Sequence, residues 1–212
     1  MATATKTKKS SGGAIGKGGQ RLSAAFEAVN TLPALSETVA RVSKLTEKDT
    51  SSVAEIAEAI ESDTAVAIAV LRAANNGGGP RGRITNVPDA IESLSPAGTG
   101  AIVAGLSTYE LFQPVANWAR LPERFRRHAV ATRHAAETIA DLADVPGRDE
   151  LAVAALLHDI GQLVLIRLYP GYESILGDRE STPEQRCLAE RRELGIDPVS
   201  YTHLTLPTNR EV

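Results

Sequence analysis

Aromatic side chains are scarce in this chain, at 4% of 212 residues, so Leu, Ile, Val and Ala must fill most of any core. Alanine favours helices over strands. The sequence also lacks runs in which β-branched residues alternate with polar ones, the pattern of a half-buried strand. These absences predict an all-α protein, folded as a compact bundle of several helices without a sheet.

Cysteine is also scarce, and long apolar runs are missing. The single cysteine, Cys187, excludes an internal disulfide and fits a reducing compartment. We find no apolar run long enough to span a bilayer, and no apolar stretch follows the N-terminal lysines as it would in a secretory signal. The sequence therefore predicts a soluble, cytoplasmic protein that does not bind membranes.

Acidic residues are absent from the first 21 positions, which hold Lys6, Lys8, Lys9, Lys17 and Arg21 among glycines and serines. The net charge of −3 therefore divides into +5 for this segment and −8 for the remainder. Such a composition is typical of a solvated leader, and we predict that residues 1–20 are disordered. A basic tail can also touch nucleic acid, but this one has no aromatic side chain to stack on bases, so nucleic-acid binding is not expected.

Capping signals mark several helix starts. Ser52 with Glu55, and Thr182 with Gln185, match the capping box, in which two side chains satisfy each other's free backbone N–H groups. Asp63 is placed to cap the helix that follows it. We expect a helix to begin at each of these three points.

Breaks in the apolar pattern divide the chain further. The sequence NNGGGP at 75–80 ends one helix. Further helices are predicted over 97–112, where glycines interrupt an apolar run, over 123–145, the longest, and over 151–160, apolar, buried and capped by Asp149. A weak boundary at 114–122 separates an N-terminal helical part, 21–113, from a histidine-bearing part, 122–198.

The four histidines, His128, His134, His158 and His203, carry the most informative chemistry. His158 and Asp159 lie in an apolar stretch, where burying an ionisable pair is costly unless each group is paired or binds a metal. An imidazole nitrogen and a carboxylate oxygen can share one divalent cation. Adjacent side chains converge best where a helix ends, and Gly161 offers such an end. The pattern fits equally a His–Asp hydrogen bond that ties helices together.

A metal also needs a ligand from another segment, for which His128 and His134 compete. Steps of three and four residues from His128 meet a largely apolar stripe, which predicts that His128 faces the core. The stripe consists of Phe125, Thr132, Ala135, Ile139 and Leu142. The same steps from His134 meet polar residues, which predicts a surface position. His128 is therefore the candidate to join His158 and Asp159 in a metal site.

These residues resemble the HD superfamily of phosphohydrolases. His128, followed 30 residues later by HDIG at 158–161, is similar to the H…HD pattern with the spacing of the HDOD (HD-related output domain) branch. Segments at 32–35, 61–75, 84–94 and 125–128 resemble further segments of that branch, in the same order. The chain is identified on this basis as a member of the HDOD branch over about residues 22–198, with a helical bundle of HD type.

The resemblance implies a function. HDOD relatives are implied to act as regulatory output domains in bacterial signal transduction, by binding signalling proteins or fused signalling domains and without catalysis or a cofactor. The alternative is a metal-dependent phosphohydrolase or phosphodiesterase, with His128, His158 and Asp159 as ligands. A bound divalent ion would then lower the pKa of a water, and Arg124 or Arg127 could face the phosphate.

Departures from the superfamily pattern favour the first interpretation. Active members need further ligands after the HD pair, but Pro198 stands where the next His belongs, and Asp178 and Asp197 lie in no recognisable motif. Gln162 replaces a Lys that often follows HDIG, which removes a cation that could bind phosphate.

Residues 199–212 break the helical pattern and are interpreted as a non-native tail, so His203 is not counted as a ligand. The HD-like part, 122–198, is thus incomplete, and the oligomeric state stays open.

Overall fold

The computed structural model describes residues 24–25, 27–76, 83–109, 120–169, 171–172 and 181–194. The predicted leader at 1–20 and tail at 199–212 lie outside these residues, as do Asp178, Asp197, Pro198 and His203. The domain boundaries drawn from the sequence therefore stay predictions.

Helices make up nearly all of the described regular structure, which confirms the all-α prediction. Residues 24–25 and 27–30 are helical. The helices that follow are α1 (Ser36–Thr46), α2 (Val53–Ile60), α3 (Thr64–Asn76), α4 (Val87–Leu94), α5 (Pro96–Ala104), α6 (Arg120–Ala143), α7 (Arg148–Leu157), α8 (Ile160–Leu168) and α9 (Pro183–Leu194).

The predicted caps are present. The Ser52 hydroxyl accepts from the Glu55 N–H at 3.2 Å, and the Glu55 carboxylate accepts from the Ser52 N–H at 2.8 Å. Thr182 and Gln185 form the same reciprocal pair before α9. Asp63 accepts from the N–H of Ala65 in the first turn of α3. These starts were predictable because each depends on residues within three positions of one another.

Two expectations about element bounds are wrong. The helix predicted over 97–112 ends at Ala104, and Thr108–Tyr109 forms a short strand, β2, that pairs in parallel with Ala34–Leu35, β1. A two-residue strand is too short to show the alternation by which strands are recognised. The helix predicted over 151–160 with Asp149 as its cap spans Arg148–Leu157 instead, so it begins three residues earlier and has no side-chain cap.

The largest core cluster lies among α1 to α5 and receives the buried faces of α7 and α8. Its fully buried side chains include Val42, Ile60, Leu71, Leu156 and Leu165. Helices α6 and α7 form an antiparallel hairpin, because the start of α7 contacts the end of α6 and the end of α7 contacts the first half of α6. The hairpin therefore holds two histidine-bearing segments side by side.

By length and composition alone, the segment Arg148–Leu168 is apolar enough to cross a membrane, contrary to the expectation from sequence. Half of its apolar window is buried within the protein, and the segment is divided into two helices, α7 and α8, of ten and nine residues. A spanning helix needs about 20 continuous residues. Burial and the break both favour a pair of core helices.

Candidate functional site

The structure brings His128, His158 and Asp159 together. His128 comes from α6, and the other two lie at the junction of α7 and α8. One possible ligand atom from each residue lies within 4.8 Å of the others. The sequence therefore selected the correct histidine of α6, and metal binding by the three residues stays a prediction.

A break between two helices lets the adjacent side chains converge. Helix α7 ends at Leu157, and Asp159 adopts φ −108° and ψ 11° before α8 begins at Ile160. Adjacent residues on a continuous helix would point about 100° apart. The break lies at His158–Asp159 itself and not at Gly161, which is buried in the first turn of α8.

Asp159 is the centre of the cluster. Its Oδ2 lies 3.3 Å from His158 Nε2 and 3.5 Å from His128 Nε2. Its Oδ1 accepts a hydrogen bond of 2.9 Å from the Gln162 amide. The two imidazole rings meet edge to face, with centroids 5.1 Å apart. Both carboxylate oxygens therefore have partners within the chain.

The orientation of His158 constrains the charge between the two residues. Its Nδ1 lies 2.7 Å from the Ala155 carbonyl oxygen, which can only accept, so the proton of a neutral ring belongs on Nδ1. Nε2 then presents a lone pair to Asp159 Oδ2. Two acceptors at this distance require a proton or a cation between them, so the ring is either protonated or positioned to share a metal with the carboxylate. Metal-binding histidines commonly donate their other N–H to a carbonyl in this way.

The electrostatics of the cluster agree with a charged ring. The hydrogen bond to Asp159 raises the pKa of His158 above its ordinary value, although partial burial opposes that shift. Burial alone would raise the pKa of Asp159, but the hydrogen bond from His158 and the charges of both imidazoles outweigh it and hold that pKa below its usual range. Both shifts favour an imidazolium–carboxylate pair.

The predicted orientation of the α6 stripe is wrong. His128 is 55% exposed, and Ile139 and Leu142 on the same stripe are 61% and 84% exposed. The row of α6 that is buried carries Ala129, Arg133 and Ala140. Apolar character alone did not identify this row, because a buried arginine occupies its centre. His134 lies at the surface, as predicted.

Other residues near the cluster have roles that the sequence did not show. Gln162, noted only for the lysine it replaces, donates to Asp159 from one turn along α8. The guanidinium of Arg127, one of two arginines that could face a phosphate on the hydrolase hypothesis, lies 3.4 Å from the Glu123 carboxylate. The three-residue spacing of Asp159 and Gln162 is the signal from which the amide contact was predictable.

Comparisons with known proteins give the family and the fold of this chain. A family model of the HDOD domain matches residues 32–205, which extends past the predicted end of the domain at 198. Among solved structures, the MmoQ response regulator from Methylococcus capsulatus (fragment 20–298) is 23% identical over 85% of this chain and 70% of that chain, with a TM-score of 0.66. A virulence factor from Campylobacter jejuni is 22% identical over 90% of this chain and 68% of that chain, with a TM-score of 0.67. No curated protein matches. The helical fold, the His–Asp cluster and the family match together establish that this chain belongs to the HDOD domain family.

Proposed function

We propose that the chain is a regulatory module of bacterial signal transduction that acts by binding other proteins or fused domains and not by catalysis. The name of one similar structure, a response regulator, supports a signalling role. The fitting partners are cytoplasmic signalling proteins or signalling domains on the same polypeptide, and no cofactor is required.

One observation carries this proposal: Asp159 is satisfied within the chain. The Gln162 amide binds one carboxylate oxygen and the histidines lie against the other. In this arrangement the cluster joins α6 to the junction of α7 and α8 through the contact of His128 with Asp159 and the edge-to-face packing of the two imidazoles. Gln162 also leaves the position beside Asp159 without the cation that would help to bind a phosphate.

A metal-dependent phosphohydrolase is the second candidate, and the orientation of His158 favours it. Its Nδ1 points to a carbonyl and its Nε2 to Asp159, and His128 Nε2 approaches the same carboxylate oxygen. Two imidazole nitrogens and a carboxylate fit a borderline divalent ion, and three protein ligands suffice in some catalytic sites. When bound, such an ion would supply Lewis acidity toward a phosphoryl oxygen. The chain's own contribution would be to hold the ion through His128, His158 and Asp159.

Metal content and turnover distinguish the two candidates. The purified chain would be incubated with Mn²⁺ or Ni²⁺, desalted and analysed by mass spectrometry for bound metal, and then assayed with a generic phosphodiester. Asp159→Ala would remove the shared carboxylate. His134→Ala is the matched control, because His134 lies on α6 outside the cluster.

On the binding proposal, the wild-type chain releases product no faster than Asp159→Ala with either ion. Stoichiometric metal together with turnover that Asp159→Ala abolishes and His134→Ala retains would establish the hydrolase instead. Metal that binds without turnover would leave a binding module with a structural ion.

A further inference from the structure

A second charged cluster, away from the histidines, joins the N-terminal helices to the α6–α7 hairpin. Glu61, directly after α2, forms an ion pair with Arg133 of α6, and the two residues are only 6% and 3% exposed. Arg126, two turns earlier on α6, donates to the Ser62 carbonyl oxygen at 3.1 Å. Glu61 and Ser62, two consecutive residues after α2, therefore each bind an arginine side chain of α6.

The cluster continues from Arg133 into α7. Arg133 Nη2 lies 3.8 Å from Glu137 Oε2 and 3.3 Å from each ring nitrogen of His134. His134 Nδ1 lies 3.1 Å from the same Glu137 oxygen. Arg148, the first residue of α7, lies 3.5 Å from the other oxygen of Glu137. The network thus spans three helices.

Carboxylates outnumber cations in this network. The facing groups are Glu61 at the end of α2, Arg133, His134, Glu137 and Asp141 from α6, and Arg148 and Asp149 from α7. The groups on α7 and Asp141 are about half exposed, so solvent screens them. Away from solvent, the buried Glu61 and the partly buried Glu137 both contact the guanidinium of Arg133. An excess carboxylate in a poorly solvated place is costly unless it takes up a proton.

We propose that the Glu61–Arg133–Glu137 cluster is a proton-sensitive joint between α2 and the α6–α7 hairpin. The joint is tight while Glu61 carries a proton, and it loosens when Glu61 is ionised beside the Glu137 carboxylate. Arg133 lies five residues after His128 on α6, and α7 leads directly to His158. The joint therefore determines how strongly the histidine-bearing α6–α7 hairpin is attached to the N-terminal helices. This device does not depend on whether the histidine cluster binds metal.

The sign of the effect follows from Glu61. Burial raises its pKa to about 7 despite the opposing charge of Arg133, and Glu137 raises it further. Because the folded-state pKa lies above the ordinary value of 4.5, the stabilising contribution is complete below about pH 4.5 and is lost as pH rises through about 7. The joint is therefore weaker on the alkaline side of neutrality.

Unfolding of the full chain by urea between pH 5 and pH 8 tests the joint. Glu61→Gln keeps the shape of the side chain and removes its titration. Glu58→Gln is the matched control, since Glu58 lies on the same helix with an exposed side chain. Over this range we expect the unfolding constant of the wild type and of Glu58→Gln to rise at least about tenfold more than that of Glu61→Gln. Equal pH dependence in all three proteins would overturn the proposal.

A second variant covers the case in which Glu61→Gln does not fold. Glu137→Gln removes the second carboxylate beside Arg133, whose charge raises the pKa of Glu61, so the pH dependence of unfolding should be smaller than in the wild type. Hydrogen exchange, corrected for intrinsic rates, gives a local measurement. Peptides of α6 and α7 should lose protection between pH 5 and pH 8 in the wild type and keep it in Glu137→Gln. Unchanged pH dependence and equal loss of protection in both proteins would contradict the joint.

Discussion

The two charged clusters on α6 differ in how they meet solvent. Arg133 is buried against Glu61, whereas His128 is more than half exposed beside His158 and Asp159. Breaking a buried ion pair leaves an uncompensated charge in a poorly solvated place, while breaking an exposed pair leaves both charges to water. Helix α6 therefore carries two charged contacts with different roles. The buried Arg133–Glu61 pair stabilises the fold, and the His128–Asp159 contact lies in a solvent-accessible site.

The largest effect should come from the buried pair. We expect Arg133→Met to lower the free energy of unfolding by roughly 3–5 kcal/mol, because Glu61 would remain buried without its cation. The matched control is Arg41→Met, which breaks the exposed contact of Arg41 with Glu58 at 3.9 Å and should cost less than about 1 kcal/mol. Urea denaturation at pH 8, above the pKa of about 7 of Glu61, measures both. Equal losses in the two variants would remove the distinction between buried and exposed charge.

The exposed cluster should matter less for stability. We expect His128→Ala to lower the free energy of unfolding by about 1 kcal/mol or less, since the imidazole loses a solvent-accessible contact of 3.5 Å. Thermal unfolding with and without a chelator measures it. A loss as large as that of Arg133→Met, or a wild-type melting temperature that falls on chelation, would indicate that a bound ion stabilises the site.

The smallest expected effect is on protonation within the exposed cluster. Asp159→Asn removes the carboxylate that raises the pKa of His158, so that pKa should fall toward its ordinary value. An NMR titration of the His158 ring protons follows the change, with His134 as an internal reference. An unchanged His158 titration would mean that the imidazole does not pair with Asp159 in solution.

The sequence predicted those parts of the molecule that depend on nearby residues. The caps at Ser52, Asp63 and Thr182 were predictable because donor and acceptor lie within three positions of each other. The choice of His128 over His134 was also correct, although its stated reason, an inward-facing stripe, was wrong. The resemblance to the HDOD branch, with its 30-residue step from His128 to His158, indicates the same histidine without depending on the orientation of α6.

Long-range pairings were not predictable in the same way. Glu61 and Arg133 are 72 positions apart, and nothing in either local sequence indicates that the two charges are buried together. The pairing of Ala34 with Thr108 is likewise set by the packing of α1 and α5, which brings two short segments side by side. Such contacts form only when the whole chain has folded, and a charged residue in one segment does not indicate which distant residue it will pair with.

The comparison of phosphodiester turnover between the wild-type chain and Asp159→Ala, each with saturating Mn²⁺, tests the proposed mode of action most directly. A module that works by binding gives the same background rate in both proteins. A wild-type rate at least tenfold above that of the variant would contradict it and make the three-residue cluster a catalytic metal site.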